Sequence, residues 1–180
     1  GVEIQSTTVN LLYKYFTSPG STSITAKENI TIKGTGAKGD AVEITDDTSL
    51  VSQQGKIDIL ATNGSVSMEG GNVTAKNGSA TISGASATNI AGVDVDGASI
   101  TVGNETGTTT TITNTVDKNT TLDATGKIAV TGTTVSLTDI SVDSTGTDAD
   151  GVLELVGEST VENMTDEQLK KEKQRLLQIG

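Results

Sequence analysis

The sequence predicts an all-β parallel β-helix, a solenoid of stacked coils, with a short C-terminal α-helix. Three observations lead there. Thr, Ile and Val are abundant, while aromatic residues make up 2% and hydrophobic residues 33% of the 180 residues; β-branched side chains suit a pleated, half-buried surface. Apolar pairs separated by one residue recur, among them Ile30/Ile32, Val42/Ile44, Ile57/Ile59, Val73/Ala75, Ala80/Ile82, Ile100/Val102, Val135/Leu137 and Leu153/Leu155. Period-2 spacing places each pair on one face of a strand. Gly or Asn-Gly punctuates the pairs, as at Gly55, Asn63-Gly64, Gly70-Gly71, Asn77-Gly78 and Gly97, and these residues tolerate the positive φ that ends a strand. Low hydrophobicity with net charge −11 is also the composition of disordered chains. The single Pro (Pro19) and the excess of β-branched residues argue instead for ordered strands.

The spacing between pairs selects the architecture. Ile57 to Val66 is 9 residues, whereas Val66 to Val73, Val73 to Ala80, Val93 to Ile100 and Ile128 to Val135 are 7 each. Three such steps make a superperiod, seen again where GKIDILA at 55 precedes NGSATIS at 77 by 22 and GASITVG at 97 follows it by 20. Three short strands per ~20 residues is what one coil of a parallel β-helix requires. Coils stack about 4.8 Å apart, so a thin interior needs only ladders of small apolar side chains, and stability comes from neighbouring coils. The competing arrangement, a Thr-rich β-sandwich of hairpins, asks for bulkier cross-strand pairs.

Taken in order, residues 1–20 form an N-terminal first coil or capping segment. They hold both Tyr and the only Phe, with Val9, Leu11, Tyr13 and Tyr15 alternating and Leu12 and Phe16 on the other face. A solenoid exposes its terminal coil, which bulk must cover; a receptor-binding aromatic patch is the alternative use. Residues 21–157 form the β-helix, interrupted at 101–121, where the spacing breaks and an expanded coil or surface loop is expected. Residues 158–180 form a linker and an amphipathic helix. Thr165-x-x-Gln168 has the capping-box pattern, and Asp166/Lys170 and Glu167/Lys171 are i,i+4 pairs in the favourable order. The chain starts GVEIQ, and a mature piece or a fragment of something longer is expected.

Chemistry has little to work with. The chain contains no His and no Cys, which removes the commonest general base, the commonest transition-metal ligand and any disulfide. A sequence pI near 4.3 opposes bulk electrostatic binding to nucleic acid or anionic lipid, and no apolar run approaches the ~20 residues of a membrane helix. Asp46-Asp47, Asp94-x-Asp96 and Asp148-x-Asp150 are the paired acids, but the only Arg is Arg175, and no aromatic platform accompanies them, so a glycosidase pair is not expected. Asp94-Val95-Asp96-Gly97 and Asp148-Ala149-Asp150-Gly151 resemble pieces of calcium loops without the closing Glu. Lys38-Gly39-Asp40 in its Gly-rich loop is read as chance. Most of the sequons at Asn29, Asn63, Asn72, Asn77, Asn104, Asn119 and Asn163 follow from composition, with glycosylation the alternative. No catalytic, cofactor-binding or metal-ligating residue is assigned, and a non-enzyme is expected.

NGSVSMEGGNVTAKNGSATISG (63–84), with GKIDILA before it and GKIAVTGTTVSL (126–137) after it, resembles the haemagglutinin-type repeats of filamentous haemagglutinin-like bacterial adhesins, two-partner-secreted or autotransporter passengers. The resemblance covers roughly 21–157 and carries no invariant motif. It implies a right-handed parallel β-helix acting as a secreted or cell-surface stalk in adhesion, with a host or neighbouring cell surface (protein or glycan) and the flanking domains of a longer polypeptide as partners. VEIQSTTVNL and KENITIKG look somewhat like a second family, the trimeric β-helical spikes of contractile phage tails and type VI secretion machines. There each chain supplies one strand per third of a turn, and no 20-residue superperiod is expected.

Overall fold

In a computed structural model, which describes residues 2–45, 47–104, 108–144 and 153–162, the chain winds into a parallel β-solenoid of about six turns. Each turn lays one strand in each of three columns. Turn one comprises β1 (Val2–Ser6), β2 (Val9–Tyr13) and β3 (Phe16–Thr17); turn two β4 (Thr22–Ala26), β5 (Ile30–Gly34) and β6 (Asp40–Ile44). Turn three holds β7 (Ser49–Ser52), β8 (Ile57–Ala61) and β9 (Ser65–Glu69), and turn four β10 (Asn72–Ala75), β11 (Ser79–Gly84) and β12 (Ala87–Ala91). Turn five holds β13 (Asp94–Gly97), β14 (Ser99–Gly103) and β15 (Thr109–Thr113). Turn six holds β16 (Thr121–Ala124) and β17 (Ile128–Thr138), which runs through two columns. β18 (Ser141–Ser144) and β19 (Leu153–Glu162) lie beyond it on the same stack. The first column is a seven-stranded sheet and the other two merge into a twelve-stranded one.

Every pairing is parallel, and the register carries like onto like. In the first column Ile4, Ile24, Leu50, Val73, Val95, Leu122 and Val142 form one inward ladder. In the second, Leu11, Ile32, Ile59, Ile82, Val102, Val130 and Leu155 form another. The eight apolar pairs named above are all buried. A turn is not a fixed 20 residues: Ile82 stacks on Val102 after 20, Val73 on Val95 after 22 and Val102 on Val130 after 28. Outside the two-residue β3 and the long β17 and β19, strands keep four to six residues while the corners absorb the difference; the 101–121 stretch holds β15 and has its two ends in β14 and β16.

The corners explain how so polar a chain closes. The residue two places ahead of the register-equivalent Ser23, Ser49, Asn72, Asp94 and Ser141 has positive φ in each case: Ser21 (56°), Asp47 (64°), Gly70 (75°), Gly92 (65°) and Asp139 (57°). A left-handed residue at this position therefore turns the chain into the first column at five corners, joined at the Gly70 corner by a second, Gly71 (85°), and Gly, Asp and Ser meet that need at low or moderate cost. At other corners Asn clamps successive turns. Asn63 Nδ2 donates to the Thr35 carbonyl at 2.9 Å and Asn77 Nδ2 to that of Gln53 at 2.8 Å, while Asn29 Oδ1 accepts the Lys56 N–H at 2.9 Å. Buried hydroxyls finish the accounting: Thr88 Oγ1 accepts the Gly84 N–H at 2.8 Å, and Thr120 Oγ1 accepts that of Gly92 at 2.7 Å.

Two expectations shift. Alternation does not persist through 9–16: Val9 is buried, Leu11 and Phe16 pack against the core, and Leu12, Tyr13 and Tyr15 are exposed. The chain turns at Lys14-Tyr15 between β2 and β3, so Phe16 comes to stack on Val42 on the inner side. The boundary placed at 157 falls inside β19, so residues 158–162 are strand paired with β17 rather than linker. The helix expected after Thr165 lies outside the described residues.

Candidate functional site

Three surfaces carry the chain's polar and apolar exceptions. The first is a carboxylate row on the outer face of the first column. Strand alternation that turns Val95 and Leu122 inward turns Asp94, Asp96, Thr121 and Asp123 outward, and register places Asp96 beside Asp123 and Asp123 beside Asp143. Neighbouring strands lie about 4.8 Å apart, so these are stacked like charges. Asp96 is half-buried, and burial first, then the charges of Asp123 and Asp94, push its carboxyl above the usual range near 3.8. Asp94 is better served: Thr121 Oγ1 donates to it at 2.8 Å and Lys118 Nζ lies 3.4 Å away. A shallow groove of about 220 Å³, lined in part by Lys76, Asp96 and Asp123, follows the row. Among the described residues no group of three or more His, Cys, Asp or Glu is arranged to hold a metal ion.

The second is a polar groove of about 590 Å³ along the left-handed corner, lined by Ser21, Ser23, Asp47, Ser49, Asn72 and Lys118 among others. Lys118 reaches it from the excursion at 114–120, its Nζ donating to the Gly71 carbonyl at 2.7 Å. The excursion is closed on itself where Thr120 N–H donates to Asn114 Oδ1 at 2.7 Å, and tied to the next stretch of the stack where Asn114 Nδ2 donates to the Asp139 carbonyl at 2.6 Å. The third is the open end of turn one, an apolar groove of about 260 Å³ among Ile4, Leu11, Tyr13, Tyr15, Phe16 and Ile24. Tyr13 and Phe16 stack with ring centroids 5.8 Å apart, and Tyr15 lies over Gly36, accepting the Lys38 N–H at 3.3 Å.

The candidate residues from the sequence do not converge. Asp47 turns a corner at positive φ, while Asp94 and Asp96 decorate a wall two turns further along. Lys38-Gly39-Asp40 forms the turn into β6, with Gly39 at φ 57°. Asp46, Asp148, Asp150, Asn163 and Arg175 lie outside the described residues. Of the sequons, Asn63 and Asn77 spend their amides on the coil clamps, Asn72 Nδ2 donates to Thr74 Oγ1 at 3.3 Å, and Asn119 is exposed. Sequence reasoning did not find the Asp96–Asp123–Asp143 row, because those residues are 27 and 20 apart and only the coil register joins them. Nothing matches the chain among protein-family models, curated proteins or solved structures.

Proposed function

We propose that the chain is a non-catalytic structural stalk and adhesion segment of a bacterial surface or secreted exoprotein. The observation that supports this reading is the continuity of the ladders: one chain supplies every strand of each turn, and the interior is filled with stacked Ile, Val, Leu and Ala. Such a body transmits load and holds distance, and its side walls present repeated Thr, Ser and Asp rows from which contact surface can be varied without disturbing the core. On this reading the coils wind right-handed, other domains of a longer polypeptide flank it, and a protein or glycan of a host or neighbouring cell is the partner. Nucleic acid and membrane insertion play no part. The interleaved trimeric spike finds no support in a pairing made throughout within one chain.

Adhesion is tested by coupling the purified chain to fluorescent beads and scoring their retention on epithelial monolayers and on bacterial lawns. Retention above that of beads carrying an acidic globular control of similar pI is the expected result. Retention equal to the control removes the adhesive half of the reading and leaves a spacer. The spacer half is read by force spectroscopy, where release of the wall in successive coil-sized steps is expected and low-force collapse in one event sinks it.

A further inference from the structure

We propose that the Asn77-Gly78 corner, and more slowly the Asn63-Gly64 corner, is a site of spontaneous deamidation, a modification by water alone that turns a clamp between coils into a repulsion. Asn is among the chemically labile residues, because its side-chain carbonyl carbon can close a five-membered ring with the backbone nitrogen of the next residue. In a folded chain the rate depends on whether that nitrogen is free and unshielded. Gly78 N–H and Gly64 N–H make no hydrogen bond among the described residues, and Gly has no side chain to screen the nitrogen. Asn77 and Asn63 are themselves exposed. Other corner asparagines differ on this point. Ile30 N–H, after Asn29, donates to the Lys56 carbonyl at 2.9 Å, Thr115 N–H, after Asn114, to that of Lys118 at 3.0 Å, and Thr120 N–H, after Asn119, to Asn114 Oδ1 at 2.7 Å. Asn119 is exposed too, so exposure alone does not make a site. Gly78 is half-buried whereas Gly64 is buried, which puts Asn77 first.

The chemistry needs only water. The Gly78 nitrogen gives its proton to hydroxide and attacks Asn77 Cγ; the N–Cγ bond forms, the Cγ–Nδ2 bond breaks, and Nδ2 leaves as ammonia with a proton from water. Water then opens the succinimide at either carbonyl, returning a proton to the nitrogen and leaving Asp, or isoaspartate with the backbone rerouted through the side chain. Packing keeps the reactive pair in place. A Cβ on Gly78 would run into the Gly55 carbonyl, and one on Gly64 into those of Gly36 and Gly39. The departing nitrogen is the clamp's donor, since Asn77 Nδ2 holds the Gln53 carbonyl and Asn63 Nδ2 that of Thr35. The carboxylate that replaces it accepts but cannot donate, so it faces a carbonyl oxygen with no proton between them. Each event also adds one negative charge to a chain already at −11. These bonds tie turn four to turn three and turn three to turn two, so the stack loosens with age at its inner turns.

The whole chain is aged for weeks in heavy-oxygen water at mildly alkaline pH and then peptide-mapped by mass spectrometry. Heavy-oxygen Asp and isoaspartate are expected at Asn77 first and at Asn63 next, with Asn29, Asn114 and Asn119 converting at least about tenfold more slowly. Mildly acidic pH should slow the reaction, because the nitrogen must lose its proton to attack. In urea Asn77 should convert within about tenfold of its folded rate, while Asn119 should gain far more from unfolding. Asn77→Gln, whose longer side chain closes the ring poorly, should take up no label there. A folded chain that keeps Asn77 intact while urea exposes it overturns the proposal, as does conversion of Asn63 before Asn77 or of Asn119 at an equal rate. The lost clamp has its own readout. Asn77→Asp and the aged chain should both show a lower urea midpoint than the fresh parent, and a fully converted chain with the parent's midpoint overturns that part.

Discussion

Asp96 sits half-buried in a row of carboxylates, and its raised pKa makes folding depend on pH. A folded-state value above the unfolded one means the native state holds the proton more tightly. The benefit is fully present below the unfolded value, near 3.8, and is lost as pH rises through the folded value. Asp96→Asn should therefore raise Tm at pH 7, where the wild-type side chain is charged, and change it little at pH 3.5; melts at the two pH values check this, and equal effects at both would remove the electrostatic explanation. Ile82 tests the interior: it stacks between Ile59 and Val102 with no exposure. Ile82→Asp places an unpaired charge among apolar neighbours and should cost on the order of 4 kcal/mol, read as a fall in the urea midpoint. At this scale the apolar inward residues were legible and the polar ones were not. Thr88 and Thr110 occupy the ladder between Val66 and Val135, yet a Thr in a Thr-rich chain gives no sign of which way it faces. Their burial becomes intelligible only with the Gly84 N–H and the Thr131 carbonyl that they satisfy.

A strand of four to six residues here owns two or three inward side chains, so each element depends on the strands before and after it and on the corner that aims it. Asn-Gly corners read from sequence as positive-φ turns, yet Gly64 and Gly78 do not have positive φ; Gly is required because a Cβ would run into the Gly36 and Gly39 carbonyls at the first and the Gly55 carbonyl at the second, and the Asn side chains prove to be ties between turns. Asn77→Ala should cost about 1 kcal/mol through the lost bond to the Gln53 carbonyl. Adding Asn63→Ala should cost a similar amount again, the two clamps being in different turns with no shared partner. Chemical denaturation of the two variants checks this, and no loss in either would show that solvent replaces these bonds without penalty. The apolar pairs made strand existence legible, and Gly made the breaks legible. Turn length was not, because corners such as 114–120 have no fixed residue count and no hydrophobic marker.

The whole molecule behaves as a stack in which each turn touches only its neighbours, so protection should be graded along the axis rather than uniform. Amide exchange is expected to be slowest in turns three to five, whose strands pair on both sides, and faster in β1 to β3, which pair on one side among the described residues; uniform rates would indicate a single cooperative core instead. The architecture was legible because a superperiod of three strands survives in the sequence. The site was not, because rows formed across turns join residues that no local pattern links. The left-handed corner shared by Ser21, Asp47, Gly70, Gly92 and Asp139 also governs how a gene for such a chain can change. Codons added at a corner lengthen an excursion and leave both flanking strands in register, as the 28 residues between Val102 and Val130 illustrate. One codon lost inside a strand turns its inward residues outward, whereas loss of one whole turn, corner to corner, rejoins two equivalent bends. Drift in length should be free at the bends, by entire turns along the stack, and forbidden in between.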